Sequence, residues 1–208
     1  MNKSLEALLK KNPRVFRIAN EPVFDTASGL ATGYAELDQR LPWDGWPAAA
    51  LTEILIARDG GGELELLMPA LATISHEDDP HWIVWITPPY LPYPPALAHS
   101  GVALSRVLLV RTRRQADALW AAEQALRSDG TGAVLLWSNQ ISPQRIRRLQ
   151  LAAKEGDTFG VLVRPLNTRN TSSPAALRIA VEPVRAGFDV QIFKARGGRP
   201  GQVRLKRG

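Results

Sequence analysis

The sequence predicts a three-layer α/β fold built on a mainly parallel sheet. Short, continuously apolar runs recur along the chain, as strands read when helices cover both faces of a sheet. Between them lie amphipathic stretches with helical spacing and capping residues at their ends. Near the C-terminus the pattern changes to alternation of apolar and polar residues, the mark of antiparallel strands. Helices alternating with buried strands define the class.

The elements follow in order. SLEALLKKNP (4–13) reads as a short amphipathic helix: Ser4 caps it, Leu5, Leu8 and Leu9 share a face, Lys10 and Lys11 suit the helix dipole, and Pro13 stops it. So short a helix is marginal alone in water, so its leucines need a partner surface. VFRIANEPVFDTASG reads as a linker. LTEILIA (51–57) is the first strand, followed by Gly60, Gly61 and Gly62 and by the helical ELELLMPALATIS, with Pro69 as a kink. HWIVWIT (81–87) and RVLLVR (106–111) are the second and third strands. RQADALWAAEQALRSDG (114–130) is a helix with Ala118, Leu119, Ala122 and Leu126 on its apolar face and a glycine past its end. AVLLW (133–137) is the fourth strand. SPQRIRRLQLAAKEG (142–156) opens with a serine cap and a first-turn proline, and FGVLVRP (159–165) is the fifth strand. LRIAVEPV and FDVQIFKAR flank RAG as an antiparallel pair at one sheet edge. GGRPGQVRLKRG, glycine-rich and basic, reads as a flexible tail. The organisation expected is an N-terminal helix and linker over 1–29, one domain over 30–196 and the tail over 197–208.

Composition bounds the chemistry. With 208 residues, 45% hydrophobic and 22% charged, the chain forms one globular domain with tails. It has no cysteine, which excludes disulfides, thiolate zinc sites and cysteine nucleophiles and suits a reducing cytoplasm. No run approaches the roughly 18 apolar residues of a membrane span, so a cytoplasmic protein is expected. His76, His81 and His99 lack metal-ligand spacing, and HEDD (76–79) reads as a solvated turn. The serines lack a nucleophile-elbow context. Trp82, Trp85 and Trp137 fall in strands as core, while Trp43 and Trp46 fall in a turn as candidate partner anchors. The net charge of +6 is unevenly spread: residues 1–140 carry 12 Lys/Arg against 16 Asp/Glu, and residues 141–208 carry 14 against 4. A basic last third suits a polyanion such as DNA, an acidic protein, or solubility.

The glycine cluster between an apolar strand and a helix has the layout of a phosphate-cradling loop. Such a loop needs backbone amides, a Lys for the β and γ phosphates and a Ser/Thr hydroxyl for magnesium. Here Glu63 stands in the lysine's place and Leu64 in the hydroxyl's. A carboxylate beside a triphosphate repels it by several kcal/mol at an effective dielectric of about 20. The fourth strand ends in Trp137 and Ser138 where a magnesium-binding Asp would lie. ATP bound in the usual mode is not expected, residual nucleotide binding through the glycine amides alone stays open, and no cofactor, metal or catalytic residue is expected.

TGYAELDQRLPWDGWPAAALTEIL (32–55) resembles the opening of the RecA recombinase core, with its TG, its LD, a GG-P-like turn and an E-I strand. With GGGEL in the phosphate loop, the chain resembles the bacterial ImuA proteins, RecA-related partners in mutagenic translesion synthesis. WIVWITPP (82–89) and AAKEGDTFGVLVRPL (152–166) are similar to SulA-type cell-division inhibitors. The resemblance covers roughly residues 30–196, and the TG…LD opening and the basic segment after RPL favour ImuA. It implies a RecA-like, P-loop NTPase-type three-layer sheet with a vestigial phosphate loop at Gly60, Gly61, Gly62 and Glu63. It implies a non-catalytic adaptor in SOS-type translesion synthesis that docks an ImuB-type polymerase-like partner, with RecA or DNA as further partners. The alternative is a SulA-like inhibitor that binds FtsZ and blocks its polymerisation. The catalytic Glu of RecA falls near Pro88 or Pro89, where no acid stands. RecA-type protomers pack through an N-terminal helix, which assigns self-association to Leu5, Leu8 and Leu9.

Three surfaces are candidates for partner or nucleic-acid binding. Arg145, Arg147 and Arg148 lie on one helix whose buried face is Ile146, Leu149 and Ala153, either as a binding stripe or as a solvated face. RPLNTRNTSSPAALR (164–178) resembles in position the second DNA loop of RecA, so Arg164, Arg169 and Arg178 are placed to meet phosphates. Lys194, Arg196, Arg199, Arg204, Lys206 and Arg207 form a basic tail without interleaved aromatic residues, suited to sequence-independent backbone contacts or to an acidic partner. The proline-rich TPPYLPYPP reads as a rigid loop, or alternatively as a polyproline ligand.

Overall fold

The computed structural model describes residues 29–76 and 81–207. The helix expected over 4–13, with Leu5, Leu8 and Leu9, and the acids of HEDD lie outside the described residues.

The chain opens with the one-turn helix α1 (Ala35–Asp38), then β1 (Leu51–Ile56), α2 (Glu63–Ser75), β2 (Trp82–Ile86), α3 (Pro94–His99) and β3 (Val107–Val110). It continues through α4 (Gln115–Leu126), β4 (Thr131–Trp137), α5 (Pro143–Glu155) and β5 (Phe159–Pro165). A short 3-10 turn over Leu166–Asn170 leads into β6 (Leu177–Val184), β7 (Gly187–Ala195) and β8 (Gly201–Lys206). All eight strands form one sheet in the order β3-β2-β4-β5-β1-β6-β7-β8. β1 to β6 pair parallel, and β7 and β8 are added antiparallel.

The local signals act as expected in the centre. Ile54, Val161, Ile83 and Leu135 are fully or almost fully buried on one face, against Leu66, Leu67 and Leu71 of α2. Val134, Leu136 and Leu162 bury the other face against Leu119 and Ala122 of α4 and Ile146 and Leu149 of α5. The Ser142 hydroxyl caps α5 by accepting from the Arg145 amide at 3.4 Å. Pro69 is accommodated inside α2, which runs on to Ser75. No helix among the described residues is long and apolar enough to cross a membrane.

Two expectations are corrected. The RecA-like, P-loop NTPase-type three-layer sheet is replaced by an eight-stranded mixed sheet. Beyond β1 this sheet runs on for three strands whose two faces are not both covered by helices. α1 and Trp46 share one face of this extension with Phe188, Ile192 and Leu205. On the other face the 166–173 turn takes the helix's place, tied down by side chains from β6 and β7.

The flexible tail is corrected as well. Residues 201–206 are a strand at the far sheet edge, with Leu205 fully buried and Val203 packed against the core. Its period-two pattern was masked by the surrounding glycines and arginines. Arg207 extends this anchorage: its guanidinium makes two hydrogen bonds to the Glu65 carboxylate at 2.6 and 2.9 Å and lies over the Phe188 ring.

Candidate functional site

The carboxyl ends of β1, β2, β4 and β5 converge on two adjoining open clefts of about 390 and 410 Å³. In open α/β sheets this is where ligands and partners reach the fold, because the loops leaving the strands are free of the helical layers. Thr87, Trp137 and Asn139 line both clefts. Thr87 is a β-branched residue at φ +49°, a left-handed conformation that such side chains rarely adopt. Its amide donates to the Val110 carbonyl at 2.9 Å and its hydroxyl to the Trp137 carbonyl at 3.2 Å. The ends of β2, β3 and β4 are thereby locked around a strained residue, a cost of about 1–3 kcal/mol that persists only where surrounding structure enforces it. The Gln115 amide donates to Ser138 Oγ at 3.1 Å and to the Gln140 carbonyl, closing the second cleft on its outer side.

Beyond Thr87 the chain forms an apolar lip. Tyr90, Leu91 and Tyr93 are 67%, 66% and 70% exposed, whereas Pro88 before them is buried. Pro89, Pro92, Pro94 and Pro95 restrict the loop, so its side chains are presented with little conformational freedom left to lose. A contiguous exposed apolar group on a rigid loop has the character of a contact site. A rigid loop or a polyproline ligand is what the prolines alone suggest, and neither singles out the exposed Tyr90, Leu91 and Tyr93. The available signal was three large apolar residues in a connection where polar residues are the norm.

The Gly60–Glu63 turn is accounted for by packing. Gly62 caps α2 at φ +94°, and a Cβ there would come within 2.8 Å of the Phe188 ring. Glu63 is buried in the first turn of α2, where the positive end of the helix dipole favours a carboxylate. The vestigial phosphate loop is thus corrected to a helix start sealed by β7. Among the described residues no cluster of His, Asp and Glu has the makings of a metal site.

The predicted cationic residues do not form one surface. Arg164 and Arg178, expected to meet phosphates, are buried on either side of Glu53. The Glu53 carboxylate accepts from Arg164 at 2.7 Å, and Arg178 Nε lies 3.0 Å from its other oxygen, at ion-pair distance without hydrogen-bond alignment. Arg178 also donates to the carbonyls of Thr168, Arg169 and Thr171, and Lys194 donates to that of Ser173 at 2.8 Å. Burial, with Arg196 and Arg178 nearby, pushes the Lys194 ammonium below its usual pKa. These cations hold down the 166–173 turn by donating to carbonyls along it. Arg169 itself is exposed on that turn. Arg145 and Arg147 are exposed on α5, where Arg148 is paired with Glu123 at 2.7 Å. Arg196 and Arg199 are exposed in the β7–β8 connection. Of the tryptophans, Trp46 is fully buried and Trp43 packs against the core, so neither is a free anchor, while Trp82 is half-exposed and carries Arg106 on its ring.

Comparison with known proteins places this geometry. The family model described as "Cell division inhibitor SulA" matches residues 49–160, which include the lip, all the residues of the second cleft and strands β1 to β4. Curated proteins named "Cell division inhibitor SulA" from Yersinia pestis (strain Pestoides F) and Yersinia pseudotuberculosis serotype O:1b are each 31% identical over 109 residues, 52% of this chain. The match spans 64% of the length of those relatives. A crystal structure of SulA from Pseudomonas aeruginosa is similar at 30% identity and a TM-score of 0.48, covering 57% of this chain and 99% of that one. The family matched over the central sheet is thus SulA and not the RecA-type ATPases that the opening segment suggested. The chain belongs to the SulA family.

Proposed function

We propose that the protein is a cytoplasmic inhibitor of cell division that works by contact, binding FtsZ and blocking its polymerisation. The observation that carries this reading is the exposed lip of Tyr90, Leu91 and Tyr93, held on a proline-stiffened loop within the segment matched by the family. Aromatic anchors on a rigid support are what a polymerisation inhibitor needs, since it must outcompete an identical FtsZ subunit for the same face. The test is sedimentation of FtsZ with GTP in the presence of the full chain. Loss of pelletable polymer is expected with the wild type, and recovery of polymer with a Tyr90→Ala/Leu91→Ala/Tyr93→Ala variant. Normal polymer with both proteins would exclude the reading.

A second reading, a translesion-synthesis adaptor of the ImuA kind docking an ImuB-type partner, is favoured by one observation. Residues 161–207, outside the family match, form a built part of the same sheet and not a tail. Capture of an ImuB-type protein by the full chain, with no effect on FtsZ, would support it over the first.

A further inference from the structure

We propose that the outer edge of β3 is a strand-addition site for an extended segment of another protein, apolar at its centre and acidic at its ends. Among the described residues β3 closes the sheet on one side and pairs only with β2, so alternate N–H and C=O groups of Val107–Val110 face outward without a described neighbouring strand. All four residues keep some exposure, and Leu108 is 48% exposed. The other sheet edge is built differently. Gln202, Arg204 and Lys206 stand exposed along β8, the usual protection against edge pairing. β3 has no charge within it at all.

The charges lie at its ends. Arg106 precedes the strand, and Arg111, Arg113 and Arg114 follow it. Between His81 and Ala116 these four arginines meet no Asp or Glu. Arg111, Arg113 and Arg114 are exposed and enter no ion pair among the described residues. Antiparallel pairing of two copies through β3 about a two-fold axis sets a central residue opposite its own mate and crowds the arginine-bearing ends of both strands together with no carboxylate among them, which is destabilising. The edge therefore disfavours itself and suits a foreign strand whose flanks are carboxylates. Backbone hydrogen bonds would supply the affinity, and the arginines the polarity and the choice of partner. This site goes beyond the inhibitor reading and stands without it, since its test uses no FtsZ.

The probe is a labelled, acetylated peptide, Asp-Glu-Thr-Val-Ile-Val-Thr-Glu-Asp, titrated with the full chain and read by fluorescence anisotropy. Saturable binding is expected, weakened at least about tenfold when the acidic ends are replaced by lysines or when the three central apolar residues are N-methylated. The Arg111→Glu/Arg113→Glu variant, altered only at exposed side chains, should lose the acidic peptide by a similar factor and gain the lysine-ended one. Absence of binding, or equal binding of the N-methylated peptide, would overturn the proposal. So would a dimer of the chain alone that Leu108→Lys dissociates in analytical ultracentrifugation, because a second copy would then be the occupant.

Discussion

Arg164 Nη1 and the Glu53 carboxylate meet at 2.7 Å with both side chains 5% or less exposed, on adjacent parallel strands in the middle of the sheet. Arg178 approaches the same carboxylate from the strand on the other side. One buried anion is thus shared by two cations, of which Arg178 also links the core to the 166–173 turn. Removing one partner leaves an uncompensated buried charge, which costs about 3–5 kcal/mol. Glu53→Gln and Arg164→Ala should each lower the free energy of unfolding by that amount, read by urea unfolding. The triple replacement Glu53→Leu/Arg164→Leu/Arg178→Met should cost less than Glu53→Gln, since no charge is stranded. A triple variant less stable than the single would remove the charge argument.

The turn before α2 makes a second prediction. Gly62 and Gly60 both have positive φ, but only Gly62 faces a neighbour where a Cβ would go. Gly60→Ala should cost about 1–2 kcal/mol for the left-handed backbone alone. Gly62→Ala should cost more, because the Phe188 ring must also shift. Equal losses in chemical denaturation would mean that β7 does not seal this turn.

The C-terminal residues make a third. Deleting 197–208 removes β8, exposes Phe188, Val190 and Ile192 at their edge, and frees a new pairing edge on β7. The truncated chain should melt at lower temperature and aggregate on concentration. Arg207→Ala alone should change stability far less than the truncation, because its pair with Glu65 is solvent-exposed. A truncated chain as stable and soluble as the full one would return these residues to the status of a tail.

Acid sensitivity follows from the clasp between α4 and α5. Burial pushes the Glu123 carboxyl up, but hydrogen bonds from Arg127 at 2.6 Å and Arg148 at 3.0 Å outweigh it and hold the group below the usual carboxylate range. With a depressed folded-state pKa, its stabilisation is present above the unfolded value of 4.5 and is lost as pH falls through the lower folded value. The stability difference between wild type and Glu123→Gln should be constant near neutrality and shrink below about pH 4.5. A difference unchanged down to pH 3 would show that the clasp is not ionic.

The central strands and the helices between them were legible from the sequence, because a run such as AVLLW or the spacing of Leu119, Ala122 and Leu126 reports burial residue by residue. β8 was not, since its two inward residues, Val203 and Leu205, stand among glycines and arginines and form a strand only because β7 offers them an edge. The same limit governed the site. Arg164, Arg178 and Lys194 look like surface cations in one dimension and are structural only because parallel pairing brings Glu53 between two of them. The lip was written in the sequence as apolar residues between prolines, yet only the fold shows that none of the described helices or strands covers it. The sequence by itself determined the central buried strands and the helices between them, properties of local pattern and residue chemistry, whereas the RecA-like class it suggested gave way to an eight-stranded mixed sheet. The tertiary structure alone decided which charges are spent inside and which apolar residues remain outside, because burial is set by contacts between residues distant along the chain.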